Sequence, residues 1–356
     1  MLISTNNAKN KVNLLLILSA SYQINLIENI VSLNKEIDFF LHSNRIDANE
    51  FLRSCLSRYD NCFFEQDVNL IKRKLHSFNA VISTAARCCT SHAYSLELLE
   101  LAKVLKIPIF ELQHGLFQLG INYSCHPLKT RMYDDTFLPP SYSDEILSFY
   151  KISEKHTLIG YPPFTSEKKY KQERTGDYIL ILTNLNWQAY SEAERIRFYV
   201  TLHKTFKKYR NETFIWKMHP VEIQWLKSKR FYSQLVQEFS KKNVIFQHQD
   251  HILSLVPTEK IIKNAKTVIT VPSTVLLDCE MYNRNTLLYI CNSTESIYQE
   301  IMDHDKTSTV TVVRSFDDIV KNISGRNPLK TNYLYPFDNL SFRSCLKRYN
   351  VFREIG

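Results

Sequence analysis

The chain has 356 residues, 44% hydrophobic and 23% charged, with 20 Tyr, 21 Phe and a net charge of +9 from 45 basic and 36 acidic residues. That composition supplies apolar cores for about two domains and excludes a disordered chain. Only six residues are glycine, against roughly 25 at average usage. They sit at Gly115, Gly120, Gly160, Gly176, Gly325 and Gly356, so neither G-x-G-x-x-G nor a Walker phosphate loop can be written.

In chain order, Val12–Leu18 is a nearly continuous apolar run, as a parallel strand buried on both faces requires. Ile24–Leu33 has helical spacing, with Ile24, Ile27, Ile30 and Val31 on one side. Ile37–Leu41 and Ala80–Ser83 are the next strands. Thr90 and Ser91 open a helix over Tyr94–Leu105, and Pro108 breaks that pattern before the strand Ile109–Leu112. Residues 121–150 read as irregular, followed by a short strand and turn over His156–Pro163. Residues 164–177 are polar and highly charged and fit an interdomain linker.

The alternation then restarts. Strands are expected at Tyr178–Leu182, Thr213–Lys217, Val244–Phe246, Thr267–Val271 and Thr286–Ile290. Helices are expected at Ala193–Tyr209, Phe231–Phe239, Glu259–Asn264 and Thr274–Tyr282, and a basic amphipathic helix at Leu340–Ile355. Repeated β-α-β order implies parallel sheets with right-handed crossovers. The expected class is α/β, with two Rossmann-like doubly wound domains facing a cleft. The divisions are residues 1–163, a linker at 164–177, a second domain at 178–330, and a helix within 331–356 packing back on the first domain. Gly160 and Gly176 bracket the linker, where the backbone is expected to give if the domains close.

The positive charge favours anionic partners. The basic runs Lys168-Lys169-Tyr170-Lys171 and Lys207-Lys208-Tyr209-Arg210 are too short for a nucleic-acid arm, and no nucleic-acid partner is expected. The eight cysteines form no C-x-x-C pair and read as reduced thiols. The longest apolar run is far below the roughly 20 residues of a membrane span. The expected location is the cytoplasm, with peripheral association at the inner face of its membrane.

In an open α/β sheet, ligands sit outside the carboxyl ends of the strands. Three segments place polar residues there. In Glu111-Leu112-Gln113-His114-Gly115, a strand delivers Gln113 and His114 to its tip, with Gly115 for the turn. His114 is suited to general-base work near neutral pH, or to capping its own loop. In Trp216-Lys217-Met218-His219-Pro220, Lys217 and His219 can donate hydrogen bonds to a phosphate while Pro220 fixes the turn; the alternative is a surface lysine and a capping histidine. In Val271-Pro272-Ser273-Thr274, two hydroxyls open a helix whose free N–H groups suit an anion, unless Ser273 only caps that helix. Asp278 and Glu280 follow inside it, and Glu280 is a candidate for a sugar hydroxyl.

Other polar groups rank lower. His248-Gln249-Asp250-His251 fits no zinc spacing, Asp134-Asp135 lacks the D-x-D of metal-dependent sugar transferases, and Cys88-Cys89 reads as buried. No metal and no cofactor is expected.

The order Gln113-His114-Gly115, Ile159-Gly160-Tyr161-Pro162, Lys217-x-His219-Pro220 and Pro272-Ser273-Thr274-x-Leu276-Leu277-Asp278 resembles bacterial glycosyltransferases of the GT-B fold. The nearest groups are capsule and lipopolysaccharide enzymes: Kdo and sialic acid transferases using CMP-sugars, and CDP-glycerol glycerophosphotransferases. The resemblance spans roughly residues 80–290. It implies a nucleotide-activated sugar donor and a glycan or lipid-linked acceptor. His219, Ser273 and Thr274 would hold donor phosphates, Lys217 would add charge, and His114 would deprotonate the acceptor without a metal. Gln113-His114 replaces the acidic motif of the sialyltransferases, and Gln113 replaces the tryptophan of the glycerophosphotransferases. The alternatives are a CDP-glycerol-type polyol-phosphate transferase and a non-catalytic nucleotide- or sugar-binding subunit of a polysaccharide assembly complex.

Overall fold

A computed structural model of the chain describes residues 11–18, 23–43, 53–84, 93–113, 143–148, 156–164, 176–185, 190–219, 222–223, 234, 237–239, 243–246, 256, 258–295, 310–325 and 336–352. The chain divides into two compact units. The first comprises Met1–His114, Gln118–Lys168 and Tyr335–Gly356, the second Gly115–Phe117 and Lys169–Leu334.

The first unit is built on seven parallel strands: β1 (Val12–Leu18), β2 (Ile37–Ser43), β3 (Cys62–Phe64), β4 (Ala80–Ser83), β5 (Ile109–Leu112), β6 (Glu145–Ser148) and β7 (His156–Leu158), in spatial order β3-β2-β1-β4-β5-β6-β7. Strand direction of growth reverses between β1 and β4, the doubly wound arrangement. Helices α1 (Ile24–Leu33), α2 (Val68–Lys74) and α3 (Ala93–Val104) supply crossovers. On one sheet face Leu15, Ile17, Val81 and Ile109 pack against Ile71, Leu98, Leu99 and Ala102. Residues 145–148, expected to be irregular, form β6. It lies between β5 and β7, and periodicity over four residues does not reveal it in the sequence.

The second unit has six parallel strands: β8 (Tyr178–Thr183), β9 (Thr213–Met218), β10 (Val244–Phe246), β11 (Thr267–Thr270), β12 (Asn285–Tyr289) and β13 (Val310–Val313), in order β10-β9-β8-β11-β12-β13. Its helices among the described residues are α4 (Glu192–Lys208), α5 (Thr258–Asn264), α6 (Val275–Met281) and α7 (Phe316–Asn322). α4 starts at a capping box: Ser191 Oγ accepts the Glu194 N–H, and Glu194 returns a bond to the Ser191 N–H. Its apolar side, Phe198, Tyr199, Leu202 and Phe206, packs on Ile181, Phe214 and Trp216. The Trp216 ring is fully buried and stacks on Phe239 at 5.9 Å between centroids. Of the helix expected at Phe231–Phe239, only residues 234 and 237–239 are described, and they are helical.

The last helix, α8 (Asn339–Arg348), belongs to the first unit. It is shorter than expected: Tyr349 closes it and Asn350 turns into the left-handed region at φ 55°. Arg348 donates to Glu145 Oε1 at 2.7 Å and to Thr157 at 2.6 Å, and Tyr349 packs edge-on to Phe110. Burial alone would raise the Glu145 carboxyl. The bonds from Thr157, Cys345 and Tyr349 and the Arg348 charge outweigh it and hold the carboxyl below its usual range.

Two glycines are required by geometry. Gly160 has φ 70°. At Gly176 an added Cβ would collide with the Asn264 carbonyl oxygen, which accepts the Gly176 N–H at 2.7 Å. Gly176 is therefore a point of close approach that anchors the start of β8 to the end of α5, not a free swivel.

Candidate functional site

In the second unit the reversal of strand order falls between β8 and β11. A doubly wound sheet receives its ligand at the carboxyl ends flanking that point. Two of the predicted residue groups reach this edge.

The first comes from β9. Alternation along the strand buries Trp216 and Met218 on the α4 side and turns Lys217 to the other face, half-buried. Lys217 Nζ donates to the Val256 carbonyl at 2.8 Å. Burial pulls its pKa down to about 8, so it remains cationic at neutral pH. His219 follows at the tip. Its backbone N–H donates to Thr183 O at 2.9 Å, which fixes it beside the end of β8. The imidazole is half-buried, and burial lowers its pKa. A neutral ring of this kind donates one hydrogen bond and accepts another.

The second comes from β11. Val271 is buried, and the chain emerges through Pro272 to Ser273 and Thr274, both half-exposed. α6 begins at once: the Leu276 N–H turns back to Ser273 O and the Leu277 N–H to Thr274 O. Thr274 occupies the cap position without a side-chain cap bond. The first backbone N–H groups of a helix have no intrahelical partner. Asp278 lies one turn on. Glu280 lies in the last turn of α6, about 9 Å along the axis from Thr274 by helical rise; the fold does not bring it to the strand tips.

The third group belongs to the first unit. Gln113 is fully buried at the end of β5. Its N–H donates to Leu147 O at 2.9 Å, and Ser148 Oγ donates to its Oε1 at 2.7 Å. Gln113 is buried at the β5 tip, with its amide oxygen bonded by Ser148. His114, Gly115 and Pro220 lie outside the described residues, as do Cys88, Cys89, His248 and Asp250 and the pair at 134–135.

One residue the motif reading missed is Glu222. It is 2% exposed. Its Oε2 accepts the Leu185 N–H at 3.3 Å and its Oε1 the Tyr199 hydroxyl at 3.1 Å. The available signal was a lone acid between Val221 and Ile223, three residues past a histidine at a strand tip. Among the described residues no group of three or more His, Cys, Asp or Glu side chains is arranged to hold a metal, and no helix is long and apolar enough to cross a membrane.

The sequence matches no protein-family model and no curated protein. Solved structures do match its fold. The UDP-GlcNAc 2-epimerase of Methanocaldococcus jannaschii in complex with UDP-GlcNAc and UDP superposes with a TM-score of 0.61 at 13% identity, over 95% of this chain and 99% of that one. The S. aureus MnaA–UDP structure gives 0.59 at 11% identity, over 97% and 99%. LpCGTa in complex with UDP gives 0.55 at 8% identity, over 95% and 99%. The chain has the two-domain fold of the GT-B nucleotide-sugar enzymes.

Proposed function

We propose that the chain is a nucleotide-sugar-dependent glycosyltransferase whose second unit holds the donor. The carrying observation is the carboxyl edge flanking β8 and β11. Half-buried Lys217 and His219 and the uncapped Ser273–Thr274 helix start there offer cationic, imidazole, hydroxyl and backbone donors to one anionic group. The donor bond between the anomeric carbon and phosphate oxygen breaks. A bond from that carbon to an acceptor hydroxyl oxygen forms, and His114 takes the acceptor's proton. His219, Lys217, Ser273 and Thr274 stabilise the phosphate charge that develops on the departing nucleotide.

The favoured donor is a CMP-linked acidic sugar of the Kdo or sialic acid kind, and the acceptor a bacterial surface glycan or its lipid-linked precursor. The segment order in the sequence and the net charge of +9 support this choice. A thermal-shift series with CMP, CDP, UDP and GDP tests it, because a ligand that binds only the folded state raises apparent stability. Stabilisation by CMP supports the donor. Stabilisation by UDP alone moves the donor to a UDP-sugar, and stabilisation by none removes the reading.

The 2-epimerases among the fold neighbours support a second reading, epimerisation of a UDP-sugar with no acceptor. Incubation with a UDP-sugar alone, followed by NMR of the sugar, separates the two: an epimerase converts it unaided, a transferase requires the acceptor.

A further inference from the structure

We propose that Glu222 is a positioning residue, a carboxylate clamp that fixes the His219 segment against the loop leaving β8 and sets the geometry of the phosphate contact. The role rests on the reading of His219 as that contact, while the clamp itself can be measured without any ligand.

The geometry begins with the segment that carries it. The Ile223 N–H donates to His219 O at 3.2 Å, which ties the segment bearing Glu222 back to the tip of β9. Glu222 lies within the fold, where it is 2% exposed. Three donors from three different elements converge on it. The Leu185 N–H reaches Oε2 from the loop after β8, and the Tyr199 hydroxyl reaches Oε1 from α4. The Thr183 hydroxyl, at the end of β8, also bonds the carboxyl. Trp216 Nε1–H donates to Thr183 Oγ1 at 3.0 Å, which leaves the Thr183 proton to point at Glu222. An arrangement made of donors is complementary to an ionised carboxylate.

Burying that charge has a cost. Burial raises the Glu222 pKa to about 7, against the lowering by Thr183, Leu185, Tyr199 and the Arg195 charge. The titratable and charged groups around it are Arg195 and Tyr199 of α4, Tyr190 just ahead of α4, and His219 on its own segment. Arg195 is itself buried and donates to Tyr190 O at 2.7 Å. When Glu222 takes up a proton, one of its oxygens must donate in turn. Thr183 and Tyr199 can rotate to accept, but the Leu185 N–H cannot. The bond to Leu185 is therefore the one whose strength follows the charge. The clamp is tight above the Glu222 pKa and loosens as the pH falls through it.

The experiment is amide exchange of Leu185 in the ligand-free full chain, expressed as protection factors so that intrinsic exchange is removed, across about pH 6 to 8. In the wild type, protection is expected to rise with pH through about 7 by roughly fivefold or more. In Glu222→Gln, whose amide oxygen still accepts, protection persists without the pH step. In Glu222→Ala protection at Leu185 falls at every pH by about tenfold. A Glu222→Gln protein that keeps the wild-type step, or a Glu222→Ala protein as protected as the wild type, overturns the clamp. If Glu222→Ala does not fold, the Glu222→Gln profile alone decides.

Titration with CMP and UDP at pH 7 is the second arm. Glu222→Ala is expected to bind about tenfold more weakly, with Glu222→Gln restoring affinity to within about twofold. A wild type that binds neither nucleotide but shows the Leu185 pattern keeps the clamp and removes the phosphate reading. A wild type that binds nucleotide without the pattern does the reverse.

Discussion

The two units present the same parallel topology and the same reversal of strand order, yet their carboxyl edges are built differently. In the first unit the described polar side chains at that edge are closed on one another. Thr84 donates to Gln23 Oε1 at 2.7 Å, Ser148 to Gln113 at 2.7 Å, and His42 Nδ1 meets Glu65 O at 2.9 Å. All five side chains other than Glu65 are buried. In the second unit the edge keeps half-exposed groups, His219, Ser273 and Thr274, over a buried layer of Thr183, Tyr199 and Glu222. One fold thus supports two kinds of rim. One rim is a buried floor; the other carries half-exposed polar groups at its surface.

The largest effect should come from the floor. Gln113→Ala opens a cavity and removes the acceptor of the Ser148 hydroxyl bond, and should destabilise the protein by about 3 kcal/mol in denaturant unfolding. Nucleotide affinity of the folded fraction should not change. A variant that keeps wild-type stability but loses binding would erase the distinction between the rims.

His219→Ala should do the opposite. Thermal stability stays within about 0.5 kcal/mol of wild type, while calorimetric nucleotide affinity falls by about 2 kcal/mol, roughly thirtyfold. Ser273→Ala sharpens the comparison at the helix start. Losing one hydroxyl donor there should weaken binding by about 1 kcal/mol, roughly fivefold, with helix stability unchanged because Thr274, not Ser273, holds the cap position.

The smallest effect is on pH. Lys217 is cationic below its pKa of about 8 and neutral above it. Anion affinity should therefore fall as the pH rises through that value, by about threefold between pH 7 and 9. Lys217→Gln should bind more weakly at pH 7 and show no such fall.

Much of this was legible from periodicity. Buried parallel strands such as Val12–Leu18 and Tyr178–Thr183 are continuous apolar runs, and their boundaries fell within a residue or two. Two short strands were not: Cys62–Phe64 and Glu145–Ser148 carry three or four residues each, too few for a pattern to show. The tip residues Lys217, His219, Ser273 and Thr274 were legible because a strand running into polar residues is a local signal. Glu222 was not, because its meaning lies in Leu185 and Tyr199, 37 and 23 residues away. Gln113 was visible as a strand-tip residue, but its burial was not. Sequence shows that a polar residue reaches a strand tip and does not show that Ser148 has closed over it.

The attachment of α8 has a consequence for how the chain is made. Arg348 meets Glu145 across 203 residues of sequence, and the Lys169–Leu334 part of the second unit lies between them. During synthesis from the amino end, the first sheet emerges early but cannot be completed until the final helix has left the ribosome. Until then Glu145 lacks the partner that neutralises it and Phe110 lacks the Tyr349 ring. A fragment cut within residues 165–175 would stop at that unfinished stage. Deleting the α8 segment, Asn339–Arg348, together with Tyr349 would therefore strip the first unit of the partner of Glu145 and of the ring that packs on Phe110.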